Sequence, residues 1–335
     1  MRAFVSGCRG PVLDADERAF LREADPFGLI LFKRNVESRA QVKALTDDFR
    51  FLVGRADAPV LIDQEGGRVQ RLRPPEWADI PAAARFDAEL GNRAEDGVRL
   101  AMRLTAHELL EIGVTVNCAP VLDVADAATH EVIGSRAWSR DPARVAALGR
   151  AAMEGLLAGG VAPVIKHIPG HGRARADSHL ELPVVDASRA ELARDFAPFR
   201  ALNDAPAAMT AHVVYTALDP ARAGTISPIV IGEIVRGEIG FDGLLFSDDL
   251  SMKALGGPFD VRTRAAFAAG IDIALHCNGE LEEARPVAEA SPMLNGRALG
   301  RAQALLARIA GGAQAFDVEA GRAELAGMFG TALAV

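Results

Sequence analysis

The sequence is poor in cysteine and in aromatic residues. It has three cysteines among 335 residues, and aromatic side chains make up 5% of the chain. Cys8, Cys118 and Cys277 are far apart, and no CxxC pair or zinc-type spacing occurs. A disulfide framework and a structural zinc site are therefore not expected. We expect each cysteine to be a small buried apolar residue in a core built mainly from Ala, Val, Leu and Ile.

Long apolar runs and an excess of positive charge are also missing. No stretch approaches about 20 uninterrupted apolar residues, and the N-terminus soon meets charge, so neither a membrane span nor a signal peptide is expected. The net charge is −8, from 37 basic and 45 acidic residues, which disfavours nucleic acid as a partner. We expect a cytoplasmic protein that does not bind membranes, and a monomer because no exposed apolar helix face stands out.

Short apolar runs alternate with loops and amphipathic segments of helical length along almost the whole chain. Because most runs are continuously apolar, they are typical of parallel strands buried on both faces. Eight such units predict an α/β fold, a single-domain (β/α)8 TIM-type barrel, rather than an open doubly wound sheet. We expect one catalytic domain over residues 1–335, with about 311–335 a peripheral segment. The predicted strands are residues 3–6, 28–32, 60–63, 114–119, 163–167, 207–212, 244–247 and 271–275.

Polar and ionisable side chains stand at or directly after the ends of five consecutive predicted strands. In barrels of this kind the active site lies at the carboxyl ends of the strands, so these side chains are expected to meet. No GxGxxG follows the first strand and no GxxxxGK[ST] occurs, so the nucleotide-binding fingerprints are absent. The strand-end residues, from the third strand to the seventh, are Asp63, Asn117 with Asp123, Lys166 with His167, His212, and Asp248 with Asp249.

Asp248 comes directly after the apolar run 243–247, so a buried strand is expected to hold it rigidly at the barrel mouth. A carboxylate fixed in this way suits attack on the anomeric carbon of a sugar. The alternative is that Asp248 or Asp249 only caps the following helix. Capping fits Asp249 better than Asp248.

Four of the seven histidines fall within residues 167–212, and they allow two interpretations. One is the metal site of an amidohydrolase. The other is acid/base chemistry by His179, oriented by Asp177, because an imidazole pKa near roughly 6.5 suits proton transfer. Lys166 precedes the first of these histidines and disfavours a divalent cation, so we expect no metal and no cofactor. His171 is expected to make an ordinary loop hydrogen bond. The four histidines are His167, His171, His179 and His212.

At these residues the sequence resembles glycoside hydrolase family 3, in particular its bacterial β-N-acetylhexosaminidases of cell-wall recycling. The matching segments occur in the family's order and cover nearly the whole chain except its last few dozen residues. KHxPGHG followed by DSH and SDDLSM is a highly specific combination. The segments are GLILFKRN (28–35), DQEGGRVQRL (63–72), APVLDV (119–124), VIGSR (132–136), KHIPGHG (166–172), DSHLELP (177–183), TAHVVY (210–215) and FSDDLSM (246–252).

The resemblance implies a role for each matching residue. Asp248 maps to the nucleophile, His179 to the general acid/base and Asp177 to the partner of that histidine. The implied reaction removes a terminal non-reducing N-acetylglucosamine (GlcNAc) with retention, and the implied physiological substrate is a GlcNAc-1,6-anhydro-muropeptide. The implied sugar contacts are Asp63, Arg71, Arg136, Lys166 and His167.

Two segments depart from the family pattern. Residues 135–138 read Ser-Arg-Ala-Trp where the family more often has Asp-Arg-Ser-Phe, and residues 220–228 read PARAGTISP instead of the usual Pro-Ala-Ser pattern. Neither is expected to touch the catalytic trio. Three alternatives stay open: the metal-dependent amidohydrolase, a sugar-binding barrel without catalysis, and substrate-assisted hydrolysis in which Asp248 and Asp249 form the supporting acid pair.

Overall fold

The computed structural model describes residues 1–126, 129, 131, 133–175 and 182–330. Over this part of the chain, eight strands close a barrel in which every pairing is parallel. The predicted (β/α)8 barrel and its eight strands are therefore confirmed. The barrel strands are β1 (Arg2–Gly7), β2 (Pro26–Leu31), β3 (Val60–Ile62), β4 (Val116–Asn117), β5 (Ala162–Ile168), β6 (Ala207–Thr210), β7 (Leu244–Asp249) and β8 (Ile273–His276).

Helices surround the barrel and connect its strands. A π-helix at Ile229–Glu238 stands between β6 and β7, where the other strand pairs are joined by α-helices. Two short sheets decorate the loops, one pairing Gln64–Gly66 with Val69–Gln70 and one pairing Val184–Val185 with Val214–Tyr215. The α-helices are α1 (Ala15–Ala24), α2 (Arg39–Val53), α3 (Ala83–Leu90), α4 (Ala94–Glu111), α5 (Pro142–Ala158), α6 (Arg189–Ala201), α7 (Phe259–Ala269), α8 (Leu281–Ala290), α9 (Gly296–Ala310) and α10 (Val318–Phe329).

Local sequence signals explain where several helices begin. Ser188 precedes α6 and closes a capping box with Glu191, in which each side chain accepts the other residue's backbone N–H. Asp141 caps α5 directly before a proline at the first helical position. Ser227 accepts the N–H of Val230 at the start of the π-helix. These side chains satisfy N–H groups that have no partner inside their own helix.

The core has two layers that follow the alternation of side chains along the strands. Phe4 of β1 points outward and packs with the helices, whereas the adjacent Val5 joins a cluster inside the barrel. Inside, the rings of Phe27 and Phe246 lie 6.4 Å apart, and Leu305 of α9 joins the same cluster. All three cysteines are buried, as expected.

The C-terminal segment packs on the outside of the barrel. The ring of Phe329 in α10 meets that of Phe86 in α3 edge to face, with centroids 5.2 Å apart. Leu325 is buried in the outer core layer, and Arg322 Nη2 lies 3.1 Å from Glu108 Oε1 of α4. Within the described ranges, no helix combines the length and the apolar character that a membrane crossing needs.

Close packing of α5 against α4 yields a stability prediction. An alanine Cβ at Gly155 of α5 would lie 2.3 Å from the carbonyl oxygen of Arg99, whereas at Gly300 of α9 it would meet nothing within 4 Å. Gly155→Ala should therefore lower the free energy of unfolding by about 1–3 kcal/mol. Gly300→Ala should raise it by about 0.5–1 kcal/mol because alanine has less conformational freedom to lose. Denaturant unfolding measures both, and equal signs would contradict this packing.

Candidate active site

A cavity of about 270 Å³ opens at the carboxyl ends of the barrel strands. It collects every described residue to which the resemblance assigns a role, whereas the strand-end residues Asn117, Asp123 and His212 do not line it. Asp177 and His179 lie outside the described residues. Apolar side chains, among them Ile30, Phe32, Met209 and Met252, form the other part of the wall. The predicted residues that line the cavity are Asp63, Arg71, Arg136, Lys166, His167 and Asp248.

Five charged side chains on one wall form a continuous ionic chain. Lys166, buried at the end of β5, places its Nζ 2.7 Å from both Asp63 Oδ1 and Glu65 Oε1. Arg71 Nη2 lies 3.0 Å from Asp63 Oδ2. At the other end, Arg136 makes a two-pronged contact with Glu65, with Nε–Oε2 and Nη2–Oε1 distances of 2.8 Å. We call the row Arg71–Asp63–Lys166–Glu65–Arg136 the ionic chain.

The ionic chain fixes the charge of its members. Burial opposes ionisation of Glu65, but Arg136 and Lys166 outweigh it and lower the pKa of Glu65 to about 2. The pKa of Asp63 is likewise held well below its usual range, because Lys166 and Arg71 overcome the effect of burial. Burial disfavours the Lys166 ammonium, yet Asp63 and Glu65 raise its pKa above the ordinary value. The wall therefore stays charged across the neutral pH range.

Glu65 is a site residue to which the sequence reasoning assigned no role. It stands in the short hairpin strand Gln64–Gly66, two residues after Asp63, so the two carboxylates reach the same wall. The sequence did carry a signal for such a residue: the predicted sugar contacts on this wall include three basic side chains but only one carboxylate. Charge balance in a buried site calls for a second acid.

Asp123 orients two histidines beside the ionic chain. It is buried, and its Oδ2 lies 2.7 Å from His167 Nδ1, while its Oδ1 accepts the backbone N–H of His171 at 2.7 Å. Burial opposes ionisation, but His167 outweighs it and lowers the pKa of Asp123 to about 2. The carboxylate accepts, so His167 carries its hydrogen on Nδ1. Burial lowers the pKa of His171 to about 4, which leaves that ring neutral.

The loop that follows β5 is anchored at three points before residue 176. His171 is held through its backbone by Asp123, as its expected loop hydrogen bond. The hydroxyl of Tyr215 donates to the carbonyl of Gly170 at 2.8 Å. Arg173 Nε lies 2.6 Å from Asp195 Oδ2 of α6. These contacts fix the described part of this loop, up to residue 175.

Asp248 and Asp249 differ in their surroundings although they are neighbours. Asp248 Oδ1 accepts the N–H of Asp249 at 2.8 Å. The Asp249 carboxylate accepts the N–H groups of Ser251 and Cys277 at 2.9 and 3.1 Å and the Ser251 hydroxyl at 2.6 Å. The expectation that Asp249 caps the following helix is therefore wrong: its carboxylate closes a turn at Ser251, and the next helix, α7, begins only at Phe259.

The Asp248 carboxylate is ionised at neutral pH. Burial alone would raise its pKa, but the nearby His212 and His167 and the N–H of Asp249 outweigh burial and lower it. His212 itself turns away from His167 and His171, because its two ring nitrogens face Thr225 and the carbonyl of Asp249. Among the described residues, no group of His, Cys, Asp and Glu is arranged to hold a metal ion.

Comparison with known proteins gives consistent matches. A family model described as the glycosyl hydrolase family 3 N terminal domain matches residues 12–302. The chain is 43% identical over 283 residues to a β-hexosaminidase of Alkalilimnicola ehrlichii, covering 82% of this chain and 80% of the relative. It is 44% identical over 273 residues to a β-hexosaminidase of Pseudomonas aeruginosa, covering 80% of each.

Solved structures show the same likeness. Native NagZ from Neisseria gonorrhoeae matches with a TM-score of 0.86 and 33% identity, over 98% of this chain and 97% of that one. A complex of that NagZ with N-trifluoroacetyl-D-glucosamine also gives a TM-score of 0.86. A glycoside hydrolase family 3 β-N-acetylglucosaminidase from Paenibacillus sp. str. FPU-7 gives 0.87 at 29% identity, over 97% of this chain and 67% of that one.

The ionic chain predicts a strong energetic coupling between Glu65 and Arg136. Glu65→Gln leaves Arg136 and Lys166 buried with less compensating charge, so it should destabilise the protein by about 3–5 kcal/mol. In a double-mutant cycle with Arg136→Met, the coupling free energy should reach about 2–3 kcal/mol. Chemical unfolding of the four proteins gives this value.

A matched surface pair provides the control. Arg150 and Asp204 also form a two-pronged contact, but the Asp204 side chain is 62% exposed. Their coupling free energy should stay below about 1 kcal/mol because solvent screens the pair. If the Glu65–Arg136 cycle gave no more than the surface cycle, the ionic chain would not be the electrostatic unit described above.

Proposed function

The chain belongs to glycosyl hydrolase family 3 and is a β-N-acetylhexosaminidase, and on this basis we propose that it removes terminal non-reducing GlcNAc with retention of configuration, using Asp248 as nucleophile. One observation carries the proposal. Asp63 and Glu65 are each paired with cations, and the Asp249 carboxylate accepts three hydrogen bonds, whereas within the described ranges no Lys or Arg pairs with Asp248. Asp248 is therefore the carboxylate best able to attack.

The proposed reaction has two steps. Asp248 attacks C1 of the bound sugar and forms an ester, while the protonated imidazole of His179 gives its proton to the departing oxygen. Neutral His179 then takes a proton from water, the water oxygen attacks C1, and the carboxylate of Asp248 leaves. Asp177 supports the charged form of His179 during the first step. Two inversions at C1 give net retention.

The ionic chain and His167 serve as the proposed sugar-binding wall. Its carboxylates accept hydrogen bonds from sugar hydroxyls, and Lys166, Arg71 and Arg136 donate others. Because neighbouring charges hold these groups in place before the sugar arrives, little reorganisation accompanies binding. The hydrogen that His167 directs to Asp123 leaves its Nε2 as the ring atom that can contact substrate.

The surroundings of Asp249 favour the covalent route over substrate-assisted catalysis. In the latter, the sugar's own 2-acetamido oxygen attacks C1 and a pair of acids supports the ring. Asp248 and Asp249 could form such a pair only if both carboxylates faced the sugar. The Asp249 carboxylate already accepts hydrogen bonds from Ser251 and Cys277. A four-histidine metal site is disfavoured in the same way, since His212 is engaged elsewhere.

We further propose that the physiological substrate is a GlcNAc-1,6-anhydro-muropeptide, cleaved in the cytoplasm by a monomeric, single-domain enzyme without metal or cofactor. The resemblance to cell-wall-recycling enzymes supports this assignment. If the assignment is right, the enzyme should release free GlcNAc from that muropeptide, as measured by mass spectrometry. Release from simple aryl glycosides with the muropeptide left intact would contradict the assignment while sparing the reaction class.

Hydrolysis of an aryl β-N-acetylglucosaminide tests the catalytic assignment. Asp248→Asn should lower kcat by about 10³-fold or more, since it removes the nucleophile. His179→Ala should lower kcat by about 10²-fold or more on substrates whose leaving group needs a proton, and should change the pH profile. Activity should survive exhaustive chelation.

Asp242→Asn is the matched control for the aspartate substitution. Asp242 is 86% exposed and pairs with Arg301, remote from the cavity lining. This variant should keep wild-type kinetics. Asp248→Asn with wild-type activity would overturn the nucleophile assignment, and loss of activity on chelation would favour the metal-dependent alternative.

A further inference from the structure

Thr225 connects a peripheral segment to the end of the nucleophile's strand. It is buried in the short 3-10 helix Gly224–Ile226, within residues 220–228. Its Oγ1 lies 2.8 Å from Thr210 Oγ1 and 2.7 Å from His212 Nδ1. Thr210 Oγ1 in turn accepts the N–H of Asp248 at 3.2 Å. The segment does not touch Asp248 itself, in line with the expectation, but only one hydroxyl separates Thr225 from Asp248.

Donor and acceptor chemistry, together with distance, assigns the direction of the hydrogen bonds in this group. His212 Nε2 lies 3.0 Å from the carbonyl oxygen of Asp249. A carbonyl only accepts, so Nε2 carries the hydrogen. Burial lowers the pKa of His212 and keeps the ring neutral, so Nδ1 is an acceptor. The Thr225 hydroxyl has two acceptors within reach, the carbonyl of Ala211 at 3.1 Å and His212 Nδ1 at 2.7 Å, and we assign its single hydrogen to the nearer Nδ1.

The remaining hydroxyl completes the sequence. Since the Thr225 hydrogen is used on His212, its oxygen accepts from the Thr210 hydroxyl. The oxygen of Thr210 accepts from the N–H of Asp248. The bonds thus run in one direction from the Asp248 N–H through Thr210, Thr225 and His212 to the Asp249 carbonyl. We call these three side chains the Thr–Thr–His relay.

The relay holds the main chain at two consecutive residues. It begins on the N–H of Asp248 and ends on the C=O of Asp249, while the N–H between them donates to Asp248 Oδ1 at 2.8 Å. Rotation of either residue would break at least one of these bonds. Because a misplacement of about 1 Å at a reacting atom can cost roughly 100-fold in rate, such holding matters for catalysis.

We propose that Thr225 is a positioning residue that fixes the Asp248 carboxylate for attack through the Thr–Thr–His relay. This inference rests on the proposed function, since it takes Asp248 as the attacking group. Residue 225 must donate to an imidazole and accept from a hydroxyl at the same time. Among residues of this size only Thr and Ser do both well. Valine has the same shape as threonine and does neither.

Kinetics of Thr225→Val and Thr225→Ser on an aryl β-N-acetylglucosaminide test the proposal. Thr225→Val should lower kcat by about 10–100-fold with KM within about twofold, because attack is misaligned while the sugar-binding wall is unchanged. Thr225→Ser keeps the hydroxyl and should restore kcat to within about threefold of wild type. The cysteine thiol is a weaker donor and acceptor, so kcat of Thr225→Cys should lie between those of the valine and serine variants. This variant replaces Thr225→Val in the test if the valine variant does not fold.

Thr46→Val is the matched control for loss of a buried hydroxyl. Thr46 lies in α2, is fully buried, and its Oγ1 donates to backbone carbonyls, with Ile112 O at 2.9 Å. This variant should have a lower free energy of unfolding but wild-type kcat and KM. If Thr225→Val matched this pattern, Thr225 would be structural only and the proposal would be overturned.

Asp248→Asn distinguishes a failure of the relay proposal from a failure of the proposed function. If Asp248→Asn is inactive and Thr225→Val has wild-type kcat, the relay proposal fails and the nucleophile stands. If Asp248→Asn keeps full activity, the proposed function itself fails. A low kcat of Thr225→Val that serine does not restore would also overturn the relay.

Discussion

The buried ammonium of Lys166, placed between Asp63 and Glu65, is the interaction on which the site depends. Without it, two carboxylates brought together at the mouth of the barrel would repel each other, and at least one would take up a proton. With Lys166 in the centre and Arg71 and Arg136 at the ends, both remain ionised and fixed. The barrel supplies the geometry, since two strand ends, a short hairpin and a 3-10 helix bring these groups together from distant parts of the chain.

Five of the described carboxylates lie in or beside the cavity, and they differ in the groups with which they form ion pairs or hydrogen bonds. Asp63 and Glu65 face cations, Asp123 faces His167, and Asp249 accepts hydrogen bonds from the turn that follows it. The Asp248 carboxylate accepts one backbone N–H, that of Asp249, and the N–H of Asp248 donates to the Thr210 hydroxyl. Carboxylates therefore form ion pairs, orient a histidine, close a turn and, in our proposal, bind and attack the sugar. Ion pairs hold the proposed sugar-binding wall, and in our proposal the Thr–Thr–His relay holds the attacking group in place.

Much of this could be predicted from sequence because it depends on local patterns. Continuous apolar runs marked all eight strands, and polar residues directly after them marked Asp63, Lys166 and Asp248 as neighbours in space. The partnerships could not be predicted in the same way. Arg136 and Glu65 are 71 residues apart, and Asp123 and His167 are 44 apart. Thr225 was missed because its role depends on a hydroxyl reaching a neighbouring strand, which no periodicity records. The role that we propose for His179 rests on family resemblance and not on a sequence position.

The most direct test of the central claim is covalent trapping of the nucleophile. The wild-type enzyme would be treated with a slow fluorinated glycosyl donor that keeps the 2-acetamido group, so that both the covalent and the substrate-assisted routes stay open. Peptide mapping by mass spectrometry should then show one glycosyl unit attached to Asp248. An unmodified Asp248 peptide, together with strong inhibition by a thiazoline analogue of the cyclised sugar, would contradict the account.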